Sequence, residues 1–131
     1  MWTRILGVVA GLAMWVILAS VAGILMREAW PAYASVAGAM TFTLSMQIAR
    51  LSIGAVATLA MGLVTAAIAR SSMTVLVAGI LLLLAFIPQH VMLWDKFPVW
   101  YHLTFLLSLV PLTYLGAMVA GVARTVEPVH E

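Results

Sequence analysis

One ionisable residue, Arg50, lies within a long apolar part of the sequence, where it could bind an anion. In a helix, Thr43, Gln47 and Arg50 would share one face because they are separated by four and three residues. An ionisable side chain inside a membrane span marks a functional site by default, so these three are candidates for binding a ligand or lining a pore. Paired with Asp95 or Glu28, Arg50 could grip an anionic ligand or gate a path. The alternative is that Arg50 lies near the headgroups and extends its guanidinium to them.

Two histidines flank a short polar segment and could ligate a metal ion or haem. His90 precedes this segment, His102 follows it, and Asp95 lies between them. An antiparallel helix hairpin could bring the two imidazoles together, and imidazole with carboxylate suits several divalent metals. The three residues lack the spacing of a metal-binding motif. We therefore prefer to interpret them as interfacial residues, and we expect no cofactor.

Other chemistry finds little support in the sequence. There are no cysteines, which excludes disulfides, Cys-ligated zinc and iron–sulfur clusters. The six Lys and Arg residues are spread singly, whereas nucleic-acid binding needs a cluster. No pair of carboxylates and no Ser–His–Asp arrangement has a believable spacing for catalysis. The sequence thus predicts a protein that is not an enzyme and does not bind nucleic acid.

The composition is that of an integral membrane protein. Of the 131 residues, 66% are hydrophobic and 8% are charged. Soluble domains have roughly 45–50% apolar and about 25% charged residues. A soluble fold of this size could not bury so much apolar surface, because small domains bury only about two-thirds of what the unfolded chain exposes. The surplus must face the lipid bilayer or a partner.

Four apolar runs are long enough to cross a membrane, which requires about 20 residues in a helix. We predict an all-α, integral membrane four-helix bundle forming a single transmembrane domain, with spans at about residues 5–26, 43–69, 72–90 and 99–123. Pro88 suggests that the third helix ends near Ile87. The first span could instead be a cleaved signal peptide, but its apolar run continues past the small residues at the candidate cleavage site.

The second span poses a problem of length. A helix running from residue 32 to residue 69 would be about 57 Å long, against a hydrocarbon core of about 30 Å. Either this helix breaks near Gly38, or the segment before span two is interfacial. Pro31 and Pro98 should each begin a helix, because proline is favoured in the first turn.

One face of the second span consists of small residues, namely Gly54, Thr58, Gly62 and Ala66. Small residues at four-residue spacing let helices approach closely in membranes. This face should therefore point at protein and serve helix packing.

The two turns opposite the termini resemble each other. Each contains an opposite-charge pair followed by aromatic–Pro–x–aromatic, at an offset of 67 residues. This similarity indicates either a parallel internal repeat or the common chemistry of interfacial turns. The turns also supply a predicted belt of interfacial aromatics, made of Trp30, Tyr33, Trp94, Trp100 and Tyr101.

Three function classes follow from these observations. The preferred class is a non-enzymatic accessory, assembly or structural subunit that packs against itself or a larger membrane complex. The second is a small homo-oligomeric transporter or channel with its path near Thr43, Gln47 and Arg50, and the third is a haem- or metal-binding subunit using His90 and His102. We predict a multi-pass protein of the plasma (inner) membrane, and the Lys and Arg distribution favours an orientation with both termini in the cytoplasm.

Overall fold

The apolar runs of the sequence form helices that pack side by side in a computed structural model, which describes residues 1–121. The elements are α1 (Trp2–Ala29), α2 (Pro31–Ala37), α3 (Leu44–Ala69), α4 (Ser72–Met92), a 3₁₀ turn (Trp94–Lys96) and α5 (Val99–Val119). Four of these helices are long and apolar enough to cross a membrane. The predicted fold class, an all-α bundle of four spans with a helical segment before span two, is confirmed.

The expected effect of Pro88 on the helix of the third span is wrong. This helix, α4, does not end near Ile87 but continues through Pro88 to Met92. Proline in this place frees only one carbonyl of the preceding turn, and the Leu93 N–H caps the final turn by donating to the Gln89 carbonyl at 3.1 Å. The helix of the fourth predicted span, α5, ends at Val119. The last two residues of that predicted span, 122 and 123, lie outside the described part of the chain.

The segment before span two breaks where the length argument requires it. Pro31 is the first residue of α2, and this helix ends at Ala37, immediately before Gly38. A turn follows, in which Met40 adopts a left-handed φ of 56°. Thr43 then caps α3 by accepting a hydrogen bond from the Met46 N–H at 3.4 Å. The break shortens the second span to a length that a bilayer accommodates.

The bundle is organised around α3, which packs mainly against α1 on one side and α5 on the other. Gly54, Thr58, Gly62 and Ala66, the small face of α3, are all buried. At the α3–α5 crossing the two backbones touch, since a Cβ on Gly62 would meet the Thr113 carbonyl and a Cβ on Gly116 would meet the Leu59 carbonyl. Such close crossings are typical of small residues in membrane helices.

Helices α1 and α3 run antiparallel with a register set by small and polar residues. A Cβ on Gly7 would lie 2.9 Å from the Ala69 Cβ, and Gly11 packs against Met61 and Thr65. One turn further along α1, the Trp15 indole N–H donates to the Thr58 hydroxyl at 3.1 Å. Beyond Trp15 the C-terminal half of α1 has no buried residue, and a cavity opens beside it.

Candidate functional site

A cavity of about 400 Å³ lies in the half of the bundle that contains the α1–α2 and α4–α5 connections. All four long helices contribute to its wall, and α2 adds Tyr33. Most of the lining is apolar or aromatic. The polar groups are few and are supplied by Ser20, Tyr33, Arg50, Gln89, His90 and Tyr101. A mainly apolar cavity with a few convergent polar groups is the usual form of a small-molecule site.

Two tyrosines and two phenylalanines hold the Arg50 side chain in the cavity wall. Its Nη1 donates to the Tyr33 hydroxyl at 2.7 Å, and its Nε donates to the Tyr101 hydroxyl at 3.3 Å. The guanidinium carbon lies 4.7 Å from the ring centre of Phe42 and 5.5 Å from that of Phe97, within the range of cation–π contacts. These contacts fix the plane and the direction of the guanidinium.

The carboxylates that the sequence suggested as partners do not pair with Arg50. Glu28 and Asp95 are both exposed. The hydrogen-bond partners of Arg50 within residues 1–121 are the two tyrosines. A phenol oxygen accepts a hydrogen bond without cancelling the positive charge. The described surroundings therefore position the Arg50 charge and leave it unneutralised.

The cluster around Arg50 has more hydrogen-bond donors than acceptors among residues 1–121. A guanidinium has five N–H donors, and two of them are used by the tyrosines. The Tyr33 and Tyr101 hydroxyls accept from Arg50, and their own hydrogens find no acceptor in the described part of the chain. Nη2 also lacks a partner there but is not sealed from its surroundings. Such a cluster suits oxygens carrying negative charge, because arginine binds carboxylates and phosphates through paired N–H groups.

The two predicted histidines come together as a hydrogen-bonded pair beside the cavity. His90 Nδ1 and His102 Nδ1 are 2.7 Å apart, and His102 Nε2 is 3.1 Å from the Trp94 carbonyl oxygen. A carbonyl can only accept, so we assign His102 Nε2 as a donor and its Nδ1 as the acceptor in the neutral ring. His90 then donates through Nδ1. Its Nε2 has no partner among residues 1–121 and remains an acceptor at the cavity wall.

This arrangement differs from that of a metal or haem site. Two nitrogens bound to one zinc ion at about 2.05 Å would lie about 3.3 Å apart in a tetrahedron, whereas these two are in direct hydrogen-bond contact. Asp95 is exposed in the 3₁₀ turn and does not join them. Within residues 1–121 no three His, Cys, Asp or Glu side chains are grouped to hold a metal ion.

Of the other predicted ligand or pore residues, neither Thr43 nor Gln47 lines the cavity. Thr43 caps the start of α3, and the Gln47 amide donates to the Phe42 carbonyl at 3.4 Å. Thr43 thus satisfies one of the first N–H groups of α3, which lack helical partners, and Gln47 satisfies a carbonyl just before the helix. Only Arg50, two turns into the helix, faces the cavity.

The residues that sequence reasoning missed are the tyrosines and phenylalanines around Arg50. Tyr33 and Tyr101 were predicted to anchor at the headgroups, but they are only 2% and 5% exposed. Tyr33 ends the aromatic–Pro–x–aromatic pattern of the first turn, whereas the pattern of the second turn ends on Trp100, one residue before Tyr101. The pattern is therefore a signal for Tyr33 but not for Tyr101, and it does not indicate that either residue faces an arginine.

Replacing His102 by phenylalanine should destabilise the bundle by about 1–3 kcal/mol, because the change leaves the His90 N–H and the Trp94 carbonyl without partners. The aromatic stack of residue 102 on Trp94, 4.6 Å between ring centres, would be retained. Unfolding by SDS in detergent would measure the loss. If the His90→Phe/His102→Phe double variant lost as much as the two single variants added together, the pair would not be energetically coupled.

The fold and the cavity define the class of the molecule, a small polytopic membrane protein whose apolar helices imply the lipid bilayer as its solvent. No family model, no curated protein and no solved structure matches the chain. Any function must therefore be argued from the site itself.

Proposed function

We propose that this protein is a non-enzymatic membrane protein that binds an anionic ligand at Arg50. The observation that carries this proposal is the cluster of Arg50, Tyr33 and Tyr101, which has hydrogen-bond donors in excess and no carboxylate among its described partners. A guanidinium held by two hydroxyls and two rings is already oriented before a ligand arrives. Binding then costs less conformational entropy.

The remainder of the cavity supports binding rather than a reaction. Its walls are mainly aromatic and aliphatic, and neither Glu28 nor Asp95 lines it. A path through the bundle beside Thr43 and Gln47 has less support, because both side chains bond to the backbone near their own positions. The transporter or channel hypothesis is therefore the second choice.

Inorganic phosphate should stabilise the wild-type protein in neutral detergent relative to sodium chloride of equal ionic strength. At ten times the dissociation constant the gain in free energy of unfolding is about 1.4 kcal/mol, which raises Tm by several degrees. In Arg50→Gln we expect no phosphate-dependent rise. The measurement is Tm against phosphate concentration.

Arg27 offers a matched control, because it is an exposed arginine near the same end of the bundle and does not line the cavity. Arg27→Gln should respond to phosphate as the wild type does. Equal responses of Arg50→Gln and the wild type would show that phosphate acts elsewhere, and the proposal would fail.

We also propose that the protein acts as an accessory subunit that contacts a second copy of itself or a larger membrane complex. Support comes from α1, in which Gly7 and Gly11 are the only buried residues. Large apolar side chains such as Val9, Val16 and Ile17 are exposed on it and require lipid or another helix. Native-gel mass after mild solubilisation would test this, and a lone monomer would count against it.

The proposed location is the inner membrane, with both termini in the cytoplasm. The support for it is the count of Lys and Arg predicted on each side, with Arg4, Arg70 and Arg124 on the cytoplasmic side and Arg27 and Lys96, with Arg50 near them, on the other. The sequence contains no cysteine, so a single introduced cysteine reports on its own position. Lys96→Cys should react with a membrane-impermeant maleimide in intact cells, and Ser71→Cys should react only after lysis. The reverse pattern would invert the topology.

A further inference from the structure

We propose that the ligand of this site is a membrane lipid with an anionic headgroup, bound with its headgroup at Arg50 and one acyl chain in the cavity beside α1. This inference rests on the proposed anion site and adds the chemical class of the ligand.

The cavity has the depth of one leaflet. Along α1 its lining runs from Met26 to Trp15, a distance of about 16 Å at 1.5 Å per residue. Half of a hydrocarbon core of about 30 Å is about 15 Å. Arg50 lies in the second turn of α3, close to the end of the bundle where headgroups would be. A lipid of that leaflet could thus place its headgroup at Arg50 and its chain toward Trp15.

The lining changes from polar to apolar along the same direction. Near the end of the bundle are Arg50, Tyr33 and Tyr101, and deeper in the membrane are the apolar Val16 and the ring of Phe86. Trp15 also lines this deep part, and its indole N–H is already bonded to the Thr58 hydroxyl. This deep part therefore offers an apolar surface to a chain.

The cavity has room beside α1 and is open toward the surroundings of the bundle. Gly23 lines it, and a Cβ built on Gly23 meets no atom within 4 Å. By contrast, Gly7 and Gly11, in the first half of the same helix, have no space for a Cβ against α3. An acyl chain could enter this space directly from the bilayer, so the chain need not pass through water.

The test is native mass spectrometry of the detergent-solubilised protein titrated with phosphatidylglycerol or with phosphatidylcholine of the same acyl chains. We expect one phosphatidylglycerol to be retained with an affinity about tenfold higher, because the choline group of phosphatidylcholine would bring a second positive charge close to Arg50. Arg50→Gln should abolish this preference, and Arg27→Gln should keep it. Equal retention of the two lipids by the wild type, or an unchanged preference in Arg50→Gln, would overturn the proposal.

Gly23→Leu tests the chain-binding part separately, because leucine fills the space beside α1 and favours the helix more than glycine does. We expect this variant to lose phosphatidylglycerol while inorganic phosphate still raises its Tm. Gly38→Leu is the matched control, since a Cβ there also meets open space and residue 38 does not line the cavity.

The two proposals fail in distinguishable ways. Phosphate stabilisation that depends on Arg50, combined with no preference for phosphatidylglycerol, would leave a small-anion site and reject the lipid. Unchanged lipid binding by Gly23→Leu would also reject the cavity as the place of the chain. Absence of any Arg50-dependent response to phosphate or lipid would reject the anion site itself.

Discussion

Gly62→Ala should destabilise the bundle by about 3 kcal/mol, the upper end of the usual cost of overpacking. The new Cβ would meet the Thr113 carbonyl, which belongs to the α5 backbone and cannot rotate away. Alanine favours a helix over glycine by up to about 1 kcal/mol, so the steric term outweighs the propensity term. SDS titration of the purified protein, followed by circular dichroism or fluorescence, would measure the loss.

Gly116→Ala should have a similar effect, since its Cβ would meet the Leu59 carbonyl across the same crossing. Gly23→Ala is the control, because its Cβ enters open space and should leave stability unchanged or slightly raised. If Gly62→Ala were as stable as Gly23→Ala, the conclusion that the backbones of α3 and α5 touch at this crossing would be wrong.

The double variant Tyr33→Phe/Tyr101→Phe removes both hydroxyls around Arg50. We expect it to lower the free energy of unfolding by at least about 3 kcal/mol. Each hydroxyl accepts a hydrogen bond from a charged donor, and such bonds contribute about 1.5–3 kcal/mol each. The rings remain, so the stacks of Tyr33 on Phe42 and of Tyr101 on Phe97 are retained. The loss of stability should therefore measure how much the two hydroxyls stabilise the charge of Arg50.

A third substitution separates this explanation from a general loss of packing. Adding Arg50→Met to the double variant should restore most of the stability, because no charge then needs the hydroxyls. Tyr114→Phe is the control for hydroxyl loss, since Tyr114 is 37% exposed and lies outside the cavity. If Arg50→Met did not rescue the double variant, the two hydroxyls would not be stabilising the charge of Arg50.

The spans and the break before α3 could be predicted from the sequence because they depend on local properties. Twenty apolar residues must form a spanning helix whatever their neighbours are. The length of the run before Ala69 required a break, which lies between Ala37 and Leu44. Pro88 was misleading, because a proline near a helix end costs a single backbone bond and the helix could continue.

The partners of Arg50 could not be predicted, because they depend on how separate elements face one another. Tyr33 reaches Arg50 from α2, a separate helix on the other side of the turn that contains Met40. Tyr101 reaches it from α5, 51 residues along the chain. The predicted pairing with Asp95 or Glu28 relied on charge alone, and charge does not specify which side of a turn a side chain occupies.

The central claim is that the donor cluster around Arg50 binds an anion, and the most direct measurement is the position of a heavy anion in crystals. Crystals soaked in selenate should show an anomalous selenium peak that places selenate oxygens within hydrogen-bonding distance of Arg50 Nη2, near the Tyr33 and Tyr101 hydroxyls. The Arg50→Gln variant, soaked identically, should lack this peak. Selenium found only beside exposed residues such as Arg27 or Lys96, with none at Arg50, would contradict the claim.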